Sequence, residues 1–310
     1  MSEMSDAVHT DLKTLVSLQY QAQGFSFLPR QPVHSILAGK KASRLRGRGL
    51  NFEELRNYRP GDDLRTMDWK ASLRSGTPYV RVYSEERDRP VFLIVDQRVS
   101  MFFGSQLKMK SVVAAELAAL AAWRSLGQGD RVGAIVFNDT ECSVIKPARS
   151  KATTLRILQE ITRMNQALPE LGAEPKSESQ SFNEALSKAE NLASHDCLIC
   201  AITDCGGVDE ESRKIMTRAA QRNDILAILI YDPLGARLPQ AGRVVFSSGK
   251  SQLEVDTGKR QVRESFAGEF DDRVTRATHL LQQRSIPFLK ISAAEDPLKQ
   301  LRRALGQAIR

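Results

Sequence analysis

One unbroken apolar strand that ends in a carboxylate constrains the fold of this chain more than any other feature. Residues 91–95 read Val-Phe-Leu-Ile-Val, and Asp96 follows them directly. A run of this length and composition is typical of a strand covered on both faces, as in a parallel sheet. Ligands of such sheets bind beyond the carboxyl ends of the strands. Asp96 therefore stands at the edge where a binding site is expected.

Strands and helices alternate through most of the chain around this run. Strand patterns are predicted at residues 79–83, 91–95, 131–137, 142–145, 197–202, 225–231 and 287–291. Helical patterns are predicted at residues 6–21, 108–126, 151–165, 181–194, 210–222, 270–284 and 297–309. Because parallel strands need crossovers between them, this order predicts an α/β fold with a doubly wound, mostly parallel sheet.

The alternation breaks between residues 242 and 266. Three short strand patterns at 244–246, 252–255 and 261–263 are separated there by Ser, Gly and Lys turns. Short strands joined by such turns are typical of an antiparallel sheet. We therefore predict a small antiparallel β appendage before the last helices of the chain.

Acids and hydroxyls follow three of the predicted strands. Asp96 with Ser100, Thr203 with Asp204, and Asp232 stand at these strand ends. Their oxygens are hard ligands that suit Mg²⁺. The loop after Asp96 resembles the metal-ion-dependent adhesion site of von Willebrand factor A domains, whose pattern is Asp-x-Ser-x-Ser. The resemblance implies three metal ligands: Asp96, Ser100 as the second serine, and Asp204 as the aspartate of a later loop.

Arg98 stands where that pattern has its first serine. A guanidinium keeps its charge at any relevant pH, and a positive charge about 4 Å from a divalent cation costs on the order of several kcal/mol. Three arrangements are open. Arg98 fills the cation's place and bridges Asp96 and Asp204, or it points into solvent while Asp96 caps the loop, or a metal binds despite it. We favour the first arrangement, which requires no cofactor and predicts no tight Mg²⁺ binding.

The densest polar stretch of the chain, residues 47–69, is followed by a second block at residues 79–87. The first contains Leu-Arg-Asn-Tyr-Arg-Pro-Gly-Asp-Asp-Leu-Arg-Thr-Met-Asp-Trp, and the second reads Tyr-Val-Arg-Val-Tyr-Ser-Glu-Glu-Arg. Together they resemble the signature of a bacterial family, domain of unknown function number fifty-eight. The signature residues are Arg56, Tyr58, Asp62, Asp63, Arg65, Asp68 and Trp69.

In that family the block precedes a von Willebrand factor A-like domain, and members are usually encoded beside MoxR-type AAA+ ATPases. The resemblance therefore implies a non-enzymatic partner or adaptor of such an ATPase, or of a client protein, in chaperone-like maturation. Partner contacts are predicted at the carboxyl edge of the sheet, through Asp96, Arg98, Met101 and Asp232.

Acids and bases are interleaved within the signature block. Paired carboxylates can perform acid–base chemistry, but acids mixed with Arg56, Arg59 and Arg65 favour a structural ion-pair network. We hypothesise that the block ties the N-terminal region onto the A-like domain, with Tyr58 and Trp69 buried at the joint.

These features divide the chain into four parts. They are an N-terminal region with the signature block (residues 1–89), the A-like domain (90–241), the β appendage (242–269) and the C-terminal part of the A-like domain (270–310).

The net charge of +8 is uneven along the chain. One basic run has no acid between its members, which are Arg30, Lys40, Lys41, Arg44, Arg46 and Arg48. Such a surplus permits binding to nucleic acid, anionic lipid or an acidic protein face. The run lacks the aromatic residues that accompany single-strand binding. An acidic partner is therefore the preferred interpretation, with nucleic-acid binding as an alternative.

Several function classes lack their motifs. There is no Gly-x-x-x-x-Gly-Lys-[Ser/Thr], so ATP would belong to a partner, and no histidine lies near a serine or cysteine motif of a hydrolase triad. No apolar run approaches the roughly 18 residues of a membrane helix, and the N-terminus lacks a signal peptide pattern. We expect a cytoplasmic protein without membrane insertion. The rival class is a metal-dependent phosphoesterase or nuclease that uses Asp96, Asp204 and Asp232.

Overall fold

The structure is a computed structural model that describes residues 7–22, 50–85, 90–168, 176–247, 252–282 and 286–304. The strands are β1 (Leu50–Asn57), β2 (Tyr79–Glu85), β3 (Val91–Asp96), β4 (Val132–Phe137), β5 (Cys142–Ala148), β6 (Leu198–Thr203), β7 (Asp224–Tyr231), β8 (Arg243–Ser247), β9 (Gln252–Asp256) and β10 (Phe288–Ser292). The helices are α1 (Leu12–Ser17), α2 (Trp69–Ser75), α3 (Lys110–Gly127), α4 (Lys151–Gln166), α5 (Glu178–Leu192), α6 (Glu210–Ala220), α7 (Pro233–Ala236), α8 (Arg260–Gln282) and α9 (Pro297–Ala304). The basic run from Arg30 to Arg48 lies outside the described residues.

Six strands form one central sheet in the order β10-β7-β6-β3-β4-β5. All neighbouring pairs are parallel except β4 and β5, which are antiparallel. The exception has a local cause, because the β4–β5 connection is a tight turn. In that turn the side chain of Asn138 accepts hydrogen bonds from the backbone N–H groups of Thr140 and Glu141, at 2.9 and 2.8 Å. The predicted α/β fold with a doubly wound, mostly parallel sheet is confirmed.

Helices cover both faces of the sheet, so β3 is buried along its whole length. Leu93 and Val95 point into a core shared with α3 and α4, whereas Phe92 and Ile94 point into a second core shared with α5 and α6. This alternation is what a strand between two layers requires. Full burial of one large apolar side chain, such as Leu117 of α3, contributes roughly 1.5–3 kcal/mol. The two cores therefore fix the position at which β3 delivers Asp96.

The chain divides into two compact units. The larger contains described residues 7–22 and those from 90 onward, and the smaller is described over residues 50–85. Helix α1 belongs to the larger unit because Leu15 is fully buried in its core, and Trp123 Nε1 donates to the Leu15 carbonyl at 3.0 Å. From sequence, residues 1–89 were instead predicted to form one N-terminal region, which joined α1 to the signature block.

The smaller unit is built on the antiparallel pair β1–β2. Strand β2 was predicted, but β1 was not. Its backbone pairing with β2 is interrupted by a register shift between Phe52 and Glu54. A bulge of this kind puts an extra residue into one strand and breaks the period of two that identifies a strand in sequence.

Strands β8 and β9 form the antiparallel hairpin that the sequence predicted. The third predicted strand, at residues 261–263, is wrong, because these residues belong to the first turns of α8. The Arg263 guanidinium donates to the carbonyls of Thr257 and Gly258, at 2.6 and 2.9 Å, which ties this turn to the end of the hairpin. The helix therefore begins at Arg260, ten residues before the predicted start, and the boundary drawn at residue 269 falls inside it.

Candidate functional site

The carboxylate of Asp96 lies at the carboxyl end of β3 and is paired with Arg98. Arg98 Nε donates to Asp96 Oδ1 at 3.0 Å, and Nη2 donates to Oδ2 at 2.6 Å. Thr203 Oγ1 adds a hydrogen bond to Oδ2 at 2.6 Å. Both charged side chains have no solvent exposure. This is a bidentate arginine–carboxylate pair, the strongest kind of charge-assisted hydrogen bonding available to these groups.

The remaining donors of the guanidinium reach two further loops. Nη1 donates to the carbonyl of Glu178 at 2.9 Å, and Nη2 donates to the carbonyl of Gly206 at 3.1 Å. The same Nη2 lies 3.6 Å from Asp204 Oδ1. Arg98 therefore joins the loop after β3, the start of α5 and the loop after β6. Of the three arrangements open from sequence, the geometry is the one in which Arg98 bridges Asp96 and Asp204.

Two aromatic rings complete the surroundings of Arg98. The guanidinium carbon lies 5.4 Å from the ring centroid of Phe137 and 5.9 Å from that of Phe182. Burial alone would lower the pKa of Arg98, but the negative charges of Asp96 and Asp204 raise the pKa above its ordinary value. The cation is thus kept charged in a site closed to solvent.

A second cation, Lys110, neutralises Asp204. Lys110 Nζ donates to Asp204 Oδ2 at 2.8 Å, and the backbone N–H of Gly206 donates to Oδ1 at 2.9 Å. Burial tends to raise the pKa of Asp204, but Lys110 and Arg98 outweigh it and hold the pKa well below the usual range. Two buried carboxylates therefore face two cations, and the cluster balances its own charge.

The backbone conformation of the loop after β6 allows the Gly206 carbonyl to accept a hydrogen bond from Arg98. Cys205 has a φ of 59° and Gly207 a φ of 77°. A Cβ atom on Gly207 would lie 2.4 Å from the carbonyl carbon of Glu178. Glycine is needed there because the loop passes directly over the start of α5. The close approach brings the carbonyls of Glu178 and Gly206 to the same guanidinium.

A buried polar chain connects the residue after Asp96 to the N-terminal segment. Gln97 Nε2 donates to the Ser111 carbonyl at 3.0 Å, and Asn165 Nδ2 donates to Gln97 Oε1 at 2.9 Å. Asn165 Oδ1 in turn accepts the backbone N–H of Thr10 at 2.8 Å. The loop after β3 is therefore held from both sides, by Arg98 on one face of the sheet and by Gln97 toward α3 and α4.

Ser100 does not join the charged cluster as the resemblance implied. Its buried Oγ has no hydrogen-bond partner among the described residues, and the same holds for the Oγ of Ser181. The backbone next to Ser100 is instead fixed by Asp139, whose Oδ2 accepts the N–H of Val99 at 2.7 Å. Burial raises the pKa of Asp139.

The four side chains predicted to contact a partner are all buried. Asp96, Arg98 and Met101 have no exposed surface, and Asp232 is 2% exposed. Met101 is part of the hydrophobic core. Asp232 caps α7 by accepting a hydrogen bond from the N–H of Leu234 at 2.8 Å. It also accepts a hydrogen bond from the Ser105 hydroxyl at 2.7 Å. In this conformation the four residues hold the carboxyl edge of the sheet together from inside, and their side chains are too deeply buried to contact a partner.

The signature block forms one ion pair of the expected kind on the smaller unit, in which Arg56 reaches Asp62 at 2.7 Å. A second pair was not predicted, because Asp68 is reached at 2.9 Å by Arg81 of β2 and not by an arginine of residues 47–69. Asp63 caps a short 3-10 turn by accepting the N–H of Arg65.

Within the smaller unit the signature aromatics are not buried, and their predicted burial at a joint with the larger unit stays a prediction. Trp69 is 64% exposed, and Tyr58 is half-buried. The physical reason is local, because Trp69 is the first residue of the short helix α2, whose described residues include none that is buried.

Sequence reasoning missed Lys110 and Asp139. A usable signal existed for Lys110, which opens an Ala-rich and mostly apolar helix. A lysine at the positive end of a helix dipole is unfavourable unless a nearby anion compensates it. Asp139 offered no comparable signal, because an acid in a hairpin turn is commonplace.

The cluster does not fit a divalent cation as it stands. Both oxygens of Asp96 accept hydrogen bonds from the Arg98 guanidinium, at 3.0 and 2.6 Å, so neither can ligate a metal unless Arg98 moves. A guanidinium so close to a divalent cation costs on the order of several kcal/mol. Among the residues that the structure describes, no group of three or more His, Cys, Asp or Glu side chains is arranged to hold a metal.

A cavity of about 400 Å³ opens beside the buried cluster. It lies between the loop after β6 and helix α8, and Gly206 forms part of its wall. Its charged lining is mixed: Glu178, Glu269, Asp272, Arg273 and Arg276. Its lining residues Glu178 and Gly206 are those whose carbonyls accept hydrogen bonds from Arg98.

The fold and this edge define a class of protein. A doubly wound sheet with one antiparallel edge strand, and with a carboxylate-bearing loop after a central strand, is von Willebrand factor A-like. Residues 54–276 match the family described as "Protein of unknown function DUF58". The chain therefore belongs to the DUF58 family.

Two mycobacterial proteins are similar over most of the chain. They are the uncharacterised proteins Rv1480 of Mycobacterium tuberculosis and Mb1516 of Mycobacterium bovis, each 28% identical over 222 residues that cover 72% of this chain and 68% of the relative.

Similar solved structures include the conserved hypothetical protein BatB from Bacteroides thetaiotaomicron, with 14% identity, a TM-score of 0.42 and coverage of 70% of this chain and 97% of BatB. The SpRpn10 VWA domain matches with 13% identity, a TM-score of 0.35 and coverage of 72% and 100%. No helix that the structure describes has the length and apolar composition needed to cross a membrane.

Proposed function

We propose that this chain is a non-enzymatic protein-interaction module whose sheet edge is a degenerate metal-ion-dependent adhesion site. The observation that carries the proposal is the position of Arg98, paired with Asp96 at 2.6 Å and 3.6 Å from Asp204. In a metal-dependent site a cation bridges the protein to an acid of its partner. Here the positive charge belongs to the chain itself.

The charge balance of the edge supports a binding role. Arg98 and Lys110 compensate Asp96 and Asp204, so neither carboxylate is available as a free base or as an open metal ligand. The buried Arg98 fixes the loops around it by hydrogen bonds to the carbonyls of Glu178 and Gly206, so a partner would meet the preorganised surface of these loops and not the buried side chains.

The proposed partner is a MoxR-type AAA+ ATPase acting in protein maturation or assembly in the cytoplasm. Support for this partner comes from the signature block at residues 47–69 and its resemblance to proteins encoded beside such ATPases. The ATPase would supply the nucleotide chemistry, since the chain has no complete Gly-x-x-x-x-Gly-Lys-[Ser/Thr] motif: Gly249-Lys250-Ser251 lacks the first glycine, in whose place stands Val244.

The test is binding between the purified chain and the MoxR-type ATPase encoded in the same genome. Biolayer interferometry in the nucleotide-free state, with and without EDTA, is expected to show saturable binding that does not depend on divalent cations. Absence of binding would contradict the proposed partner. Mg²⁺-dependent hydrolysis of a generic phosphodiester, lost in Asp96→Ala, would contradict the non-enzymatic assignment and support the phosphoesterase alternative.

A further inference from the structure

Exposed apolar side chains are concentrated in the smaller unit. Among the described residues seven large hydrophobic side chains are exposed, and four of them lie between residues 50 and 85. They are Leu55 at 39%, Leu64 at 58%, Trp69 at 64% and Leu73 at 84% exposure. Large apolar groups grouped in this way mark interaction sites more often than scattered ones do.

Helix α2 presents two of these side chains in a fixed arrangement. Trp69 and Leu73 are four residues apart and therefore lie on the same side of the helix. Asp68 caps the helix by accepting the N–H of Ala71 at 3.0 Å. Ser72 Oγ accepts the N–H of Tyr79 at 2.8 Å, which attaches the helix to β2. The apolar stripe is thus held in place before any partner arrives.

Three cations follow the exposed apolar residues directly in sequence: Arg65 after Leu64, Lys70 after Trp69 and Arg74 after Leu73. Arg65, Lys70 and Arg74 are exposed, and none of them forms an ion pair among the described residues. Of the nearby acids, Asp62 pairs with Arg56 and Asp68 pairs with Arg81, whereas exposed Asp63 accepts the backbone N–H of Arg65 and forms no ion pair among the described residues. We define the Trp69 face as Leu64, Trp69 and Leu73 together with Arg65, Lys70 and Arg74. Its free charge is positive.

We propose that the Trp69 face docks into an apolar groove with a carboxylate-bearing rim on a protein partner. The proposal rests on the proposed function, in that the partner is the AAA+ ATPase. The apolar side chains would fill the groove, and the three cations would face its acidic rim. Charge complementarity of this kind fixes orientation and speeds association.

The composition of the face favours a protein over a lipid or nucleic-acid surface. Tryptophan and arginine are the residues most enriched among energetic hot spots of protein interfaces. A nucleic acid would engage the cations and stack on Trp69, but it would leave Leu64 and Leu73 without apolar partners. An anionic lipid surface would attract these cations as well, and vesicles are therefore one arm of the experiment below.

The experiment measures binding of the full chain to the ATPase by biolayer interferometry. Trp69→Ala/Leu73→Ala is expected to weaken the affinity roughly 30-fold or more, as removal of hot-spot side chains does. Lys70→Glu/Arg74→Glu is expected to slow association about 10-fold at low salt. Val245→Ala, at a position that is 58% exposed in β8, is the matched control and should bind as wild type does.

Two outcomes separate this inference from the proposed function. If the wild type binds but the Trp69 and Lys70 variants bind equally well, and Arg273→Glu in the cavity wall weakens binding instead, the docking face is wrong and the function stands. If the wild type does not bind the ATPase at all, both are overturned.

Iodide quenching tests whether the face is free before docking. The difference between wild type and Trp69→Phe isolates Trp69, because the other tryptophan, Trp123, is 3% exposed. Trp69 should be quenched in the free chain and protected when the ATPase is added. Protection in the free monomer would identify the chain's own larger unit as the occupant, and protection with a doubled mass would identify a second copy. Protection by phosphatidylglycerol vesicles or by an oligonucleotide, with none by the ATPase, would assign the face to those ligands. Each of these results overturns the proposal.

Discussion

The two units of this chain use the same chemical pair, arginine with aspartate, in opposite settings. In the larger unit Arg98 and Asp96 have no solvent exposure. In the smaller unit the side chains of Arg56 and Asp62 are 37% and 19% exposed, and those of Arg81 and Asp68 are 47% and 14% exposed. Contact distances are similar in all three pairs. The three pairs therefore differ in burial and not in contact distance. The buried pair of Arg98 and Asp96 holds loops together, whereas the two exposed pairs lie on the surface.

The energetic consequences follow from the surrounding medium. Breaking a buried pair by removing one partner leaves an uncompensated charge in a low dielectric. Breaking an exposed pair returns both groups to water, which screens them and hydrates them. Loss of a single charge should therefore lower the stability of the larger unit. In the smaller unit the same loss should leave stability nearly unchanged and should instead change the affinity for a partner.

The largest effect is expected for Arg98→Met. Removal of the guanidinium leaves Asp96 without its bidentate partner and the carbonyls of Glu178 and Gly206 without a donor. The free energy of unfolding should fall by about 3–5 kcal/mol, the range for broken buried pairs. Urea denaturation followed by circular dichroism measures this change.

Two further variants sharpen that result. Arg81→Met removes an exposed pair and is expected to unfold at the same urea concentration as wild type. Arg98→Ser restores a serine at the position of the adhesion-site pattern, so Mg²⁺ should raise its Tm while leaving the Tm of wild type unchanged. Equal destabilisation by Arg98→Met and Arg81→Met would remove the distinction between the two units.

A smaller effect is expected for Lys110→Met. The variant removes the ammonium that lies 2.8 Å from Asp204, but Asp204 keeps the backbone N–H of Gly206 and the nearby Arg98. A hydrogen bond to a charged group contributes about 1.5–3 kcal/mol, and the loss of unfolding free energy should lie in that range. Destabilisation as large as that of Arg98→Met would show that Lys110, and not Arg98, is the main counter-charge of Asp204.

The acid limb of stability should depend on Asp204. Its pKa in the folded chain lies below that of the unfolded chain, where an aspartate titrates near about 4. The unfolded state therefore binds more protons as the pH falls below about 4, and the free energy of unfolding decreases there. Asp204→Asn should make this slope shallower by up to about 1.4 kcal/mol per pH unit, the value for one proton.

The control for that titration is Asp139→Asn. Burial raises the pKa of Asp139, so its contribution has the opposite sign and is lost as the pH rises through the folded pKa. Urea denaturation between pH 2 and 7 measures both variants. An acid limb in Asp204→Asn as steep as that of wild type would contradict the assigned ionisation of Asp204.

The smallest effect on stability is expected for Trp69→Ala. Because this side chain is 64% exposed, the free energy of unfolding should change by no more than about 0.5 kcal/mol, as for other surface substitutions. Thermal denaturation measures the change. A loss of several kcal/mol would mean that Trp69 is buried in solution and would support the hypothesis that it fastens the signature block to the larger unit.

Sequence periodicity predicted the fold, but it did not predict how deeply individual polar residues are buried. The apolar run before Asp96 predicted the central strand, since a strand covered on both faces has no other composition. Arg98 replaces the first serine of the adhesion-site pattern, and this substitution led to the prediction, as one of three arrangements, that Arg98 bridges Asp96 and Asp204. The prediction was possible because two carboxylates that lie close together need a positive charge between them.

Other features depend on tertiary contacts that no local pattern encodes. Lys110 meets Asp204 from 94 residues away, and Met101 is buried although it follows a polar loop. Trp69 shows the converse, because a large aromatic residue is usually buried and here stands on a short exposed helix. The strand pattern at residues 261–263 failed since three residues are too few to separate a strand from a helical turn.

The claim that Arg98 takes the place of a cation is tested most directly by calorimetric titration of Mg²⁺ into the wild-type chain and into Asp96→Ala. With the guanidinium 2.6 Å from Asp96 and the charge of Asp204 already compensated by Lys110, the wild type should give no saturable heat of binding, and the two proteins should behave alike. Micromolar Mg²⁺ affinity in the wild type that disappears in Asp96→Ala would contradict the account.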